Sequence, residues 1–348
     1  MANIRDVASH AGVSVSSVSN VLNGRTDQMR KSTRIRIEQA MDALNYHPNR
    51  IAQQLKTGVV HMFGLLVPSI VNPSFSALAR EVELAAREHS YRVLLGNTYR
   101  QEDEERAFIE DMFAHGVRGI IVAASDIRKT HFAKAAEQGM VIVNYDNRLA
   151  YSIDNDTRLF DSISMDNVEA GRLAASHLLE RGCRNIVFAT EASLTMSRSH
   201  KIDGFQTVLR NHQLTGQHRI VEGKAHGGYG DTEMTELGYA LADRILGITP
   251  RPDGVVAIND ALGIGLLAGL REAGIDIPGE ISVIGIDNIP LSGLTWPAMS
   301  SVNPPLSKMA SLMIERLLRR IEDPTLPPEE FLFPPSLVCR HSVRESVI

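Results

Sequence analysis

A length of 348 residues exceeds one ordinary domain and suits two or three. Hydrophobic content of 43% and charged content of 22% describe a folded globular chain and exclude a disordered one. The net charge of −5 is unevenly placed: residues 1–58 hold eight Lys/Arg against four Asp/Glu, a net +4, so the remainder carries −9. A basic head on an acidic body fits a head that meets a polyanion. From the N-terminus, Ile4, Val7, Ala8 and Ala11 recur at helical spacing, and Gly12 breaks the run. Ser14 can cap a second helix whose inward stripe is Val18, Val21 and Leu22, and Asn23-Gly24 ends it. A third helix is expected from about Ser32 to about Tyr46, with Ile37, Ala40, Met41 and Leu44 inward, stopped by Pro48.

Helix, tight turn and short second helix form the helix-turn-helix pattern, in which the second helix lays its N-terminal residues on base edges in the major groove. With Val18, Val21 and Leu22 inward, Ser16, Asn20 and Asn23 fall on the opposite face. Serine donates or accepts at a base edge, and asparagine pairs bidentately with adenine. Val15 lies at the margin, either touching a thymine methyl or belonging to the core. The alternative for the whole segment is a small helical cap with Ser16 and Asn20 merely solvated. Asn49–Leu55 is composed of helix formers but spans barely two turns, too short to be stable alone.

After Thr57-Gly58 short apolar strands alternate with amphipathic helices. The first set is Met62–Val67, Ser74–His89, Arg92–Gly96, Glu102–His115, Gly119–Ala123, Thr130–Gln138 and Val141–Tyr145. A second set starts with a helix at Asn167–Arg181. It continues through Asn185–Ala189, His200–Asn211, Arg219–Glu222, Thr232–Leu246, Gly254–Ile258, Ala261–Ala273 and Ser282–Ile286. The expected fold is an all-α head plus an α/β body of two doubly wound, parallel-sheet lobes. Ligands bind such sheets at strand C-termini, where Asp146, Asn259-Asp260 and Asp287 stand. Each suits paired hydroxyls, and each can equally be a helix cap.

Other chemistry is thinly supported. Gly263-Ile-Gly265-Leu-Leu-Ala268 fits a dinucleotide fingerprint, with Asp287 about 20 residues on, but the glycines fall inside a helix and not in the strand-to-helix turn. Walker, G-x-S-x-G and H-E-x-x-H motifs are absent, and no histidine has metal spacing, so no enzyme, cofactor or metal is expected. A free sugar-binding protein would need an export signal, and no apolar leader follows Met1; the apolar stretch Val59–Val67 is about half what a bilayer requires. Cys183 and Cys339 lie far apart without a Cys-x-x-Cys pair and read as reduced thiols, so a cytoplasmic protein is expected.

Asn3-Ile4-Arg5-Asp6-Val7-Ala8, Ala11-Gly12-Val13-Ser14, Val18-Ser19, Val21-Leu22-Asn23-Gly24 and Ala43-Leu44-Asn45-Tyr46-His47-Pro48-Asn49 resemble the head of the lactose/galactose repressor (LacI/GalR) family. Ile258-Asn259-Asp260, Gly274-Ile275-Asp276-Ile277-Pro278 and Ser282-Val283-Ile284-Gly285-Ile286-Asp287 resemble that family's second lobe, and the likeness spans nearly the whole chain. The resemblance implies a body like the periplasmic sugar-binding proteins and a hinge helix whose Leu55 wedges into the minor groove; without it, 48–58 is a plain linker. It implies a DNA-contacting set of Ser14, Val15, Ser16, Ser19, Asn20, Asn23, Asn49, Ala52 and Leu55. Position 20, often arginine in the family, is Asn20 here, so its base preference should differ. The implied effector set is Phe75, Asp146, Arg148, Arg198, Lys201, Asn259 and Asp287. Phe75 comes from Asn72-Pro73-Ser74-Phe75, similar to the family's first-strand loop; Lys201 stands where arginine is usual, and Arg198 would compensate for its missing planar fork.

The expected domains are a head at 1–47, a hinge at 48–58 and a body at 59–348. The first lobe would take about 59–163 and 300–325, the second about 164–299 and 326–345. The implied function is a sequence-specific transcriptional regulator, a repressor and not an enzyme, controlled by a small-molecule effector that is a sugar or sugar derivative. Its implied partners are double-stranded DNA with a palindromic operator and a second copy of itself, with no membrane and with a bacterial, nucleoid-associated location when bound. Residues 331–348 contain Pro334-Pro335 and no leucine heptads, so a dimer and no tetramerisation helix is expected.

Overall fold

A computed structural model describes residues 2–22, 25–27, 29–46, 60–123, 129–146, 159–192, 195–214, 219–224 and 232–345. Asn23, Asn49, Ala52, Leu55 and Arg148 lie outside the described residues. The chain divides into two compact units, Met1–Val60 and His61–Ile348.

The first unit holds α1 (Ile4–Ala11), α2 (Val15–Leu22) and α3 (Lys31–Ala43). A reciprocal cap starts α1: the Asn3 side chain accepts from the Arg5 and Asp6 N–H, and Asp6 accepts from the Asn3 N–H at 2.8 Å. Gly12, at φ 63°, takes the left-handed turn that brings α2 back across α1. Val7, Ala8, Ala11, Val18, Ile37 and Ala40 form the core, with Ile4, Val21, Leu22, Met41 and Leu44 packed on it. The expected inward stripes are therefore the observed ones. The third helix is shorter than expected: Asn45 turns left-handed at φ 45°, and the Tyr46 N–H reaches back to the Met41 carbonyl, ending α3 before Pro48 is reached.

The second unit contains two six-stranded sheets. The first joins β1 (Met62–Val67), β2 (Arg92–Asn97), β3 (Gly119–Ala123), β4 (Val141–Tyr145), β5 (Asp161–Met165) and β11 (Glu330–Phe333) in the order β11-β5-β4-β3-β1-β2, all parallel. The second joins β6 (Ile186–Glu191), β7 (Ile220–Gly223), β8 (Gly254–Ala257), β9 (Ser282–Ile286), β10 (Ser300–Asn303) and β12 (Ser336–Val338) as β12-β10-β9-β8-β6-β7, with only β12 antiparallel. Helices α4 (Pro73–Glu88), α5 (Glu102–Ala114), α6 (Thr130–Glu137) and α11 (Leu306–Glu322) accompany the first sheet. Helices α7 (Asn167–Glu180), α8 (Met196–Asn211), α9 (Thr232–Leu246) and α10 (Asp260–Glu272) accompany the second.

The lobe exchange differs from the expected one. Ser300–Asn303 completes the second sheet beside β9 and does not open the return to the first, whereas Glu330–Phe333 covers the β5 edge of the first sheet and is not part of the second. A buried charge cluster fixes that return. Asp161, fully buried at the start of β5, receives Arg316 Nε at 2.9 Å, Arg320 Nη1 at 3.1 Å and the Glu329 N–H at 2.9 Å. Arg316 also binds Glu329 Oε1 and the Pro327 carbonyl, both at 2.8 Å, so α11 and the segment entering β11 close on one carboxylate. Gly263 and Gly265 sit in α10 against Met299 and the Thr235 carbonyl, where a Cβ would collide. They serve close packing and not a phosphate.

Candidate functional site

On α2, buried Val18 fixes the rotation and turns Val15, Ser16 and Asn20 outward. Val15 is 41% exposed and stands outside the core; Ser19 is half-buried beside it. Ser14 caps the helix, its Oγ accepting from the Ser17 N–H at 3.2 Å. No acidic or basic residue lies on α2, while Arg5, Arg25, Arg30, Lys31 and Arg36 are exposed elsewhere on the head. A neutral face of methyl, hydroxyl and amide can discriminate base edges, and the surrounding cations can meet phosphates.

In the second unit a cleft open to solvent lies between the two sheets. Six residues singled out from the sequence line it together: Phe75, Asp146, Arg198, Lys201, Asn259 and Asp287. Sequence reasoning missed Asn72, Ser74, Arg100, Tyr145, Thr195 and Ser197, which share the wall. Three of the elements present helix N-termini here. Asn72 accepts from the Ser74 N–H at 2.9 Å, Thr195 from the Arg198 N–H at 3.4 Å, and Asn259 from the Leu262 N–H at 2.9 Å. Asn259 is thus a cap and a cleft residue at once. The cap pattern before α4 and α8, an Asx or Thr followed by a helical run, is the signal that points to Asn72 and Thr195.

The two cleft acids leave their strands with unusual backbones, Asp146 at φ 58° and Asp287 at φ 111°, both left-handed and strained for a residue with a Cβ. Asp146 Oδ1 accepts from Asn167 Nδ2 at 2.7 Å and Ser164 Oγ at 3.2 Å, so the acid of the first lobe is bonded to the first residue of α7, just beyond the crossing into the second. Asp287 accepts from Ser74 Oγ at 2.5 Å across the cleft and faces Lys201 Nζ at 3.7 Å. Burial raises Asp287 above the ordinary carboxylate value; Lys201 and Ser74 oppose this, and Asp146 adds to it. Burial, then the charges of Asp146 and Asp287, hold the Tyr145 hydroxyl well above the usual phenol range, so it remains a donor.

Lys201 reaches the cleft because α7 and α8 touch backbone to backbone: a Cβ at Gly171 would strike the Lys201 carbonyl, and one at Gly204 the Val168 carbonyl. Arg198 does not stand free to replace a planar fork at Lys201, since its guanidinium is bound to Glu191 at the end of β6. Behind the cleft, wholly buried Asp260 accepts from the Ile289 N–H at 2.9 Å, Ser292 Oγ at 2.5 Å and Ser301 Oγ at 2.6 Å, fixing the loop that follows Asp287.

The model of bacterial regulatory proteins, lacI family, matches residues 3–49, and that of the periplasmic binding protein-like domain matches residues 175–343. The HTH-type transcriptional regulator GalR of Escherichia coli is 32% identical over 346 residues, covering 99% of this chain and 96% of its own. A LacI family transcriptional regulator from Enterococcus faecium, solved with bound ribose, is 26% identical at a TM-score of 0.71, over 81% of this chain and 98% of that one. A Lac repressor dimer bound to operator shares the fold at a TM-score of 0.79 and 21% identity, over 99% of each chain. With a capped helix-turn-helix in the first unit, a two-sheet cleft in the second and a full-length relative at this identity, the chain belongs to the lacI family of bacterial regulatory proteins and is a DNA-binding transcriptional regulator, not an enzyme.

Proposed function

We propose that this regulator is a repressor whose homodimer reads a palindromic operator through Val15, Ser16 and Asn20 and yields it in response to a sugar held between the two lobes. The observation that carries the reading is the cleft itself, where an acid from each lobe, Asp146 and Asp287, meets helix-capping amides and hydroxyls suited to vicinal hydroxyl groups. Bound ribose in the Enterococcus relative supports the ligand class, and the Lac repressor dimer on operator supports the partner and the two-fold site. DNA and effector affinities are then coupled reciprocally. The place of action is the cytoplasm, on the nucleoid when operator is bound. The test is a gel shift of the full chain on genomic fragments beside a chain lacking residues 1–58, with and without sugars. Sequence-selective binding lost on truncation supports the reading, and binding by neither chain refutes it.

Asn20→Ala should weaken the preferred operator by about 1–3 kcal/mol while leaving non-specific DNA binding and its salt slope unchanged. Fluorescence anisotropy at two salt concentrations measures both. An equal loss on every sequence would make Asn20 a general contact and not a reader.

The homodimer has a candidate face. Leu291, Leu294 and Trp296 stand out from one loop of the second lobe, the last two each 80% exposed. Trp296 is the chain's sole tryptophan, which makes it a natural reporter. Its emission should shift to the blue as concentration rises through the dimerisation range. Trp296→Glu should sediment as a monomer; a variant that stays dimeric rules this face out.

A further inference from the structure

Sugars reach a bacterial regulator as neutral molecules, as phosphate esters and as acids, and the charges inside the cleft separate these classes. Two carboxylates face the space, one from each lobe. The two buried cations beside them are already matched, Lys201 by Asp287 at 3.7 Å and Arg198 by Glu191. The third cation of the wall, Arg100, is exposed, where solvent screens it. Three helix N-termini would favour an anion. One first-turn N–H of each, at Ser74, Arg198 and Leu262, is already taken by the cap side chain of Asn72, Thr195 or Asn259, which weakens that preference.

From this balance we infer that the cleft takes a neutral polyhydroxylated ligand and rejects its phosphorylated and acidic forms, a selection made by Asp146 and Asp287 acting from opposite lobes. The inference rests on the sugar reading of the cleft and narrows it. A phosphate or carboxylate in this space would lose its hydration, meet the like charge of Asp146 and compete with Asp287 for Lys201. Hydroxyl groups would instead donate to both acids and accept from Tyr145, with Lys201 and Arg198 keeping their carboxylate partners.

The experiment is isothermal titration of the full-length chain with matched probes: D-ribose and D-ribose 5-phosphate; D-glucose, D-glucose 6-phosphate and D-glucuronate; D-galactose and D-galacturonate; and hypoxanthine. The expected result is that at least one neutral sugar binds and its anionic counterpart binds at least a hundredfold more weakly. Asp146→Asn and Asp287→Asn, isosteric and less repulsive, should narrow that ratio, each by about tenfold or more. An anionic sugar that binds as tightly as its neutral form, or a ratio unmoved in both variants, overturns the inference. Binding of hypoxanthine alone overturns the sugar reading and this inference with it, whereas an anionic sugar that binds as tightly as its neutral form overturns the inference alone. A chain bound by none of the probes counts against both.

Discussion

Raising the pH from about 4 to about 8 should cost the body of this protein on the order of 4 kcal/mol through one buried carboxyl, and Asp260→Asn should remove that dependence. Burial first, and the charge of Asp287 second, push Asp260 up to about 7, against the opposing hydrogen bonds of Ser292, Ser301 and the Ile289 N–H. An acid raised in the folded state stabilises it fully below the unfolded value near 4. That contribution is lost as pH climbs through the folded value, at about 1.4 kcal/mol for each pH unit separating the folded and unfolded values. Urea unfolding of the two proteins between pH 4 and 8 gives the difference directly, because the other titrating groups are common to both. The variant should gain on the parent steadily up to about pH 7 and then level off. Parallel curves would mean that Asp260 ionises as freely in the fold as in the open chain.

Asp161→Ala should destabilise the protein by about 3–5 kcal/mol. It leaves Arg316, 2% exposed, with Glu329 and the Pro327 carbonyl, and Arg320 without its carboxylate, and a buried charge stripped of its partner is costly. Arg316→Met should cost less, since Asp161 would keep Arg320 and the Glu329 N–H. Chemical denaturation ranks the two variants. If Asp161→Ala cost no more than a surface substitution, this cluster would not be what holds β11 on the first sheet.

The same cluster marks where sequence reading runs out. Runs such as Phe63–Val67 and Val283–Ile286 are buried on both faces of a parallel sheet, so they announce themselves as unbroken apolar stretches. Asp161–Met165 is equally buried but carries Asp161, Ser162 and Ser164, whose burial is made tolerable by partners such as Arg316 and Glu329 more than 150 residues away. No local pattern encodes that, and the strand escapes sequence reading along with β10, β11, β12 and α11. The cleft divides in the same way. Asp146, Asn259 and Asp287 are legible because each is polar and follows an apolar strand. Ser74 and Glu191 matter through a bond to Asp287 and to Arg198, and such pairing is visible only in three dimensions. The start of α8 at Met196, one turn ahead of the expected His200, hides from the sequence that Arg198 sits on the first turn of its helix.

The hydrogen bond from Ser74 to Asp287 ties the lobes together through side chains that face the ligand space. On the proposed function, an effector entering this cleft would displace an internal partner before gaining one of its own, and its apparent affinity would be set partly by how good that partner is. Position 74 would in that case act as a dial on the dose at which the genes respond, adjustable by a single codon while the operator sequence and the identity of the signal stay as they are.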